Sequence, residues 1–143
     1  MSKEAARIIK QIEVNTLPNI VTKIKINNEK EFVTCFNKVV NKCPNTVIML
    51  LADVKKTLYI ASHVPDEFKE LLNNWLDQSI QYFIKDGEFI QITPNIKKIT
   101  YPDDSEQIPF KLVDEVNGTA FSILKKYNLQ QDESSDEEYG LDI

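Results

Sequence analysis

TVIMLLADVKKTLYIASHVPDEFKELLNNW, residues 46–75, is the stretch whose reading decides the fold. An apolar run over 46–52 meets a charged break, Asp53-Val54-Lys55-Lys56. A second apolar run covers 58–61, and a helix opens at Pro65. Seven near-continuous apolar residues bounded by turn chemistry have the pattern of a strand buried on both faces. The second run is close enough to pair with it as a hairpin. No other stretch is as apolar, so this hairpin is expected at the centre of a sheet.

Working outward, the preceding segment reads as a helix. Asn28 followed by Glu31 is a capping-box variant. Phe32, Cys35, Phe36, Val39, Val40 and Cys43 then repeat at the spacing of a helix that covers a sheet. Pro44-Asn45 ends it. Before that helix, residues 20–26 alternate. Ile20, Thr22, Ile24 and Ile26 point one way and Lys23 and Lys25 the other, which predicts a half-buried strand with antiparallel pairing. A first helix, capped by Ser2 and running to about Glu13, carries Ala5, Ile8, Ile9 and Ile12 on one face, and Leu17-Pro18-Asn19 breaks it.

Downstream, Pro65 sits in the first turn of a helix whose stripe is Phe68, Leu71, Leu72, Trp75, Leu76, Ser79, Ile80 and Phe83. Asp86-Gly87 is a turn, and 88–93 and 96–101 are strand candidates separated by Pro94-Asn95. Pro94 and Pro102 suggest edge strands or an irregular excursion. Pro109 marks the last helix, with Leu112, Val113, Val116, Ala120, Ile123, Leu124 and Tyr127 as its stripe. Gly118 within it costs about 1 kcal/mol against Ala, which suggests close packing of that helix on the sheet. The expected architecture is α+β: a mixed, mostly antiparallel sheet with helices packed on it. The divisions are an N-terminal helix over 1–17, a single domain over 18–129 and a disordered acidic tail over 130–143.

The net charge of −5 is not spread evenly over the 143 residues. Six carboxylates and no Lys or Arg lie within 132–142, and removing them from the 22 acidic residues leaves 16 against 17 basic ones, a body of net +1. Neither part is composed like a protein built mainly to hold nucleic-acid phosphates. No apolar run approaches the ~20 residues that span a bilayer, so no membrane contact is expected. The opening residues lack the apolar stretch of a signal peptide, and a cytoplasmic location is expected. Cys35 and Cys43, eight apart on one helix, are too far apart to bridge and read as reduced core residues.

Catalytic chemistry finds little support. His63, the one histidine, follows the second hairpin strand. It is a candidate general base or a loop-capping residue, and no Ser, Cys or carboxylate cluster is visibly paired with it. No CxxC or HxxxH spacing supports a metal site. Three dispersed glycines, Gly87, Gly118 and Gly140, build neither a phosphate loop nor a dinucleotide fingerprint. No cofactor is expected. Basic residues offer more. Lys23 and Lys25 share a strand face, Lys55 and Lys56 lie in the hairpin turn, and Lys97 and Lys98 lie in an edge segment. Together they form a candidate patch for an RNA backbone, set against a solvated surface in which acids are interspersed. Trp75 has the chemistry to stack on a base, but its place in the apolar stripe assigns it to the core.

The tail carries the most specific local signal. Ser134 and Ser135 each precede an acid by three residues, Glu137 and Glu138, as at acidophilic kinase sites of the casein kinase 2 type. Phosphate there adds ~1.5–2 negative charges per site. Asp136, Glu137 and Glu138 followed by Tyr139, Leu141 and Ile143 resemble a linear motif that docks in a groove rimmed by Lys and Arg. A purely solubilising role is the plain alternative.

The central stretch VIMLLADVKKTLYIASHVPDEFKELLNNWL resembles the C-terminal domain of alanyl-tRNA synthetases, related to the domain that follows DHH phosphoesterase modules. The resemblance rests on an apolar strand (Val47 to Ala52), a short turn at Lys55-Lys56, a second strand (Leu58 to Ser62), the Val64-Pro65 junction and a helix carrying Trp75. It extends over most of 18–127, with the helix through Val116, Ala120 and Phe121 as the closing one. The family has a glycine-rich motif after the helix corresponding to 67–83, where this chain has only Gly87, so no nucleotide-binding residue carries over. The resemblance implies a non-catalytic module for tRNA handling or oligomerisation, and the leading expectation is a translation-associated module that binds RNA of tRNA type or a translation factor. The other expectation is a protein-interaction adaptor or assembly cofactor acting through the acidic tail. The number of copies in any assembly is not specified by either reading.

Overall fold

The structure, a computed structural model, describes residues 3–84, 89–100 and 108–140, with side chains as far as Leu129. Its centre is the expected hairpin. Strand β2 (Val47–Val54) pairs antiparallel with β3 (Thr57–His63) from Ile48↔His63 to Val54↔Thr57. Residues Val47, Ile48, Met49, Leu50, Leu51 and Ala52 are all buried because both faces of the sheet are covered. Ile48, Leu50 and Ala52 pack into one apolar cluster, and Val47, Met49 and Leu51 into another on the opposite face. The turn is made at Lys55, whose φ of 55° places a non-glycine residue in the left-handed region.

Five strands are hydrogen-bonded in the order β1-β2-β3-β5-β4, with β1 spanning Asn19–Lys23, β4 Phe89–Thr93 and β5 Ile96–Thr100. β3 and β5 pair antiparallel, as do β5 and β4, and Pro94-Asn95 links the last two. β1 departs from expectation in two ways. It runs parallel to β2, from Asn19↔Val47 to Lys23↔Leu51, and it is buried on both faces rather than one. The cause is the intervening helix α2 (Glu29–Lys42), which serves as the crossover that a parallel neighbour needs. Ile20 therefore joins the cluster under α2, while Val21 joins the cluster on the far side.

Helices cover both faces. α1 (Lys3–Asn15) and α2 bury Ala5, Ile8, Ile12, Phe32, Cys35, Phe36 and Val39 against one face. α2 is capped as its sequence predicts. Asn28 Oδ1 accepts from the Glu31 N–H at 2.9 Å, and Glu31 Oε2 accepts in turn from the Asn27 N–H. α1 ends with Thr16 at φ 51°, where the Leu17 N–H reaches back to the Ile12 carbonyl at 3.0 Å, a left-handed helix terminus occupied by a β-branched residue. On the other face lie α3 (Lys69–Ile84), entered through a 3-10 turn at Asp66–Phe68, and α4 (Phe110–Gly140). Trp75 is a core residue here. Its Nε1–H donates to the Val116 carbonyl of α4 at 3.0 Å, and the Ser79 hydroxyl donates to the Trp75 carbonyl at 2.6 Å.

Gly118 does not serve the close packing expected of it. A methyl group built there meets no atom within 4 Å. Its neighbour Asn117 is the residue that hydrogen-bonds to β1, while Val113, Val116, Ala120 and Leu124 supply the apolar packing. The described packing of α4 reaches Leu124, with Tyr127 edge-on to Phe68 at 5.9 Å. The acidic stretch beyond continues the helical backbone to Gly140. The Ser2 cap, the Asp86-Gly87 turn, Pro102, Leu141 and Ile143 lie outside the described residues, as do the side chains of Ser134, Ser135, Asp136, Glu137, Glu138 and Tyr139. Among the described residues no helix is long and apolar enough to cross a membrane.

Candidate binding surfaces

A cleft of about 640 Å³ opens where β3 ends and α3 begins. Asn45, Ser62, His63, Lys69, Asn73 and Asn95 line it above an apolar base that includes Leu72 and Leu76. The His63 ring contacts the Pro44 carbonyl through Nε2 at 2.8 Å, so Nε2 carries the proton and His63 ties the end of β3 to the loop before β2. The Ser62 N–H donates to the Asn95 carbonyl at 3.0 Å, fixing the β4–β5 turn to the same place. Lys69 is paired with Asp66 at 2.8 Å, and its hydrogen bond and charge hold the Asp66 carboxyl below its ordinary pKa. These contacts describe a histidine in a loop-fastening role. Among the described residues, no group of three or more His, Cys, Asp or Glu side chains is placed to hold a metal ion.

The six lysines are spread over β1 and the residues after it, the β2–β3 turn and β5. Lys97 and Lys98 are successive residues of β5, so they point to opposite faces of the sheet. Lys98 reaches Glu29 at the start of α2 at 2.9 Å, and that hydrogen bond raises the Lys98 pKa. Tyr59 lies beside the pair, and burial followed by the Glu29 charge pushes its hydroxyl pKa up. Lys97 lies over the Phe89 ring, 5.5 Å from its centroid. Lys23 pairs with Asp53 at 3.3 Å and also lies 5.2 Å from the centroid of Phe110. A further Asp53 contact, an acceptor bond from the Ile108 N–H at 3.2 Å, draws the start of α4 to the same corner. Lys55 and Lys56 are exposed in the β2–β3 turn, and Lys25 is exposed beyond β1, where its N–H donates to Glu4 Oε2 at 2.9 Å.

The two edges of the sheet are finished differently. At β1 the outward Val21 N–H is met by Asn117 Oδ1 from α4 at 2.9 Å. Asn19, 4% exposed, donates through Nδ2 to the same Oδ1 at 2.8 Å and to the Asn117 carbonyl at 3.1 Å, while its own Oδ1 has no partner among the described residues. A polar side chain thus occupies the bonding position that a sixth strand would use. The β4 edge carries no charge in its sequence FIQIT, and Phe89 and Ile90 are 46% and 60% exposed. The irregularity between Gln91 and Thr93 falls in its second half. Through Pro94 the sequence suggests an edge strand or an irregular excursion here, and it gives no notice of the exposed Phe89 and Ile90. The absence of charge over 89–93, where charge is the usual protection of an edge, is the available signal. No sequence signal pointed to Asn117, whose partners lie 96 and 98 residues away.

No protein-family model matches this chain, and no curated protein matches it either.

Proposed function

We propose that this chain is a non-catalytic binding module whose ligand is an extended protein segment added along β4. The observation that carries the reading is the contrast between the edges: β1 is blocked by Asn117, whereas β4 leaves an uncharged strand with Phe89 and Ile90 exposed. Strand addition to such an edge draws affinity from main-chain hydrogen bonds and selectivity from alternate side chains. Lys97 over Phe89 favours a segment that carries a carboxylate beside its apolar residues. This is the adaptor reading of the sequence, moved from the tail to the sheet. The acidic tail, with Ser134 and Ser135 as its phosphorylation sites, is then a second attachment or a modulator.

The resemblance to a synthetase domain suggests translation factors as the partner class and the cytoplasm as the place of action. Direct RNA contact draws on Lys25, Lys55 and Lys56, the exposed members of the lysine set. It is the weaker reading, because Lys23 and Lys98 are neutralised by Asp53 and Glu29. The test is capture of partners on tagged full-length protein and on Ile90→Lys, each with and without nuclease. The module as proposed retains its partner through nuclease treatment and loses it in Ile90→Lys, whose urea midpoint matches the parent because Ile90 is exposed. Capture that nuclease abolishes and Ile90→Lys leaves intact sinks the proposal in favour of RNA.

A further inference from the structure

A second surface, on the opposite side from α4, has a chemistry the chain itself can complement. Between α1 and α2 runs a shallow groove of about 320 Å³, lined by Ala5, Ala6, Ile9, Lys38, Asn41 and Lys42. The small side chains of Ala5 and Ala6 open its base, and Ile9 supplies an apolar wall. Lys38 and Lys42, one turn apart on α2, line it from that helix together with Asn41. Among the described residues neither lysine belongs to an ion pair, whereas the nearby Glu4 is engaged by Arg7 at 3.2 Å and by the Lys25 N–H. Glu13 offsets the lysine charge in part, since it acts with burial to raise the Cys43 thiol pKa while Lys42 opposes it.

Apolar lining beside two cations that form no ion pair among the described residues selects a ligand with apolar side chains flanked by carboxylates. The chain holds such a segment. Six carboxylates within 132–142 accompany Leu141 and Ile143, two residues apart, which fall on one face when extended. We propose that the α1–α2 groove receives the acidic tail of a second copy of this chain. Docking within one copy is disfavoured, because α4 packs on the other face of the sheet from the groove and keeps its helical backbone to Gly140. The contact is heterologous, tail to groove, so it either closes reciprocally in a dimer or propagates. Phosphate on Ser134 or Ser135 adds negative charge to the ligand and tightens it.

The test uses full-length protein and a fluorescently labelled peptide of residues 130–143. Saturable anisotropy that falls with added salt is expected. Lys38→Glu with Lys42→Glu weakens binding roughly tenfold or more, and a peptide carrying Leu141→Asp and Ile143→Asp does not bind. Sedimentation velocity of the full chain shows concentration-dependent association that the double lysine variant removes. Peptide that fails to bind, or binds both proteins alike, overturns the proposal. So does association that survives the lysine changes, or that disappears instead in Ile90→Lys, which assigns it to the β4 edge.

Discussion

Replacing Asn117 by Ala tests the account of how β1 is held. The substitution removes one acceptor, Oδ1, that serves two donors: the Val21 N–H at 2.9 Å and Asn19 Nδ2 at 2.8 Å. Asn19 keeps its second bond, to the Asn117 carbonyl at 3.1 Å, so its loss is about 1 kcal/mol, that of an ordinary hydrogen bond. Val21 has no such reserve. Its residue is 5% exposed, and its N–H becomes a buried donor without a partner, at a cost of about 1–3 kcal/mol. The sum is about 2–4 kcal/mol, a large part of the stability of a domain this size. Urea unfolding followed by the fluorescence of Trp75, the single tryptophan, measures it. Asn117→Asp retains the acceptor and separates the hydrogen bond from the loss of side-chain volume: it is expected to cost less than Ala. Native-state hydrogen exchange adds a local readout, since the Val21 amide is protected in the parent and exchanges faster in Asn117→Ala. A cost below about 0.5 kcal/mol, within the range of an ordinary surface change, would refute the assigned role of this side chain.

Two further outcomes follow from the packing and the charges. Gly118→Ala, with open space where the methyl group goes, stabilises α4 by about 0.5–1 kcal/mol and raises the urea midpoint without changing the slope; destabilisation would mean that α4 does approach a neighbour closely at that point. Glu4 is subject to burial, which raises its pKa, but the Arg7 hydrogen bond, the Lys25 N–H and both positive charges outweigh it and leave the carboxyl below its ordinary value. Its stabilising contribution is therefore complete above the unfolded carboxylate pKa and is lost as pH falls through the lower folded value. Glu4→Gln should be less stable than the parent at pH 7, with the difference shrinking in acid, and a gap that stays constant from pH 7 to pH 2 would rule out that linkage.

How far the fold can be read from the sequence depends on whether the deciding contact is local. β2 announces itself because burial on both faces removes polar residues from a continuous run, and β3 follows from the short turn. The Asn28–Glu31 cap is likewise local, and the structure reproduces its hydrogen bond. The partner of β1 is not local. Residues 20–26 alternate as a half-buried antiparallel strand does, yet α2 returns the chain parallel and α4 covers the face that carries Val21. The lysines show the same division. The opposite facing of Lys97 and Lys98 follows from strand period alone, whereas the pairing of Lys98 with Glu29 joins residues 69 apart and has no sequence signature. Gly118 misled because the sequence records a missing side chain without recording whether anything fills its place.

One helix carries both the guard of β1 and the root of the acidic tail. Asn117 and the tail lie on the single continuous rod of α4, which spans 31 residues. A partner that pulls on the tail therefore loads the β1 edge, and the direction of the load decides the response. Tension along the helix axis shears all of its contacts with the sheet together. Tension away from the sheet peels them in turn from Tyr127 toward Val116 and Asn117, ending with the exposure of the Val21 N–H. Pulled in that direction, the tail would act as a lever on the edge that Asn117 covers.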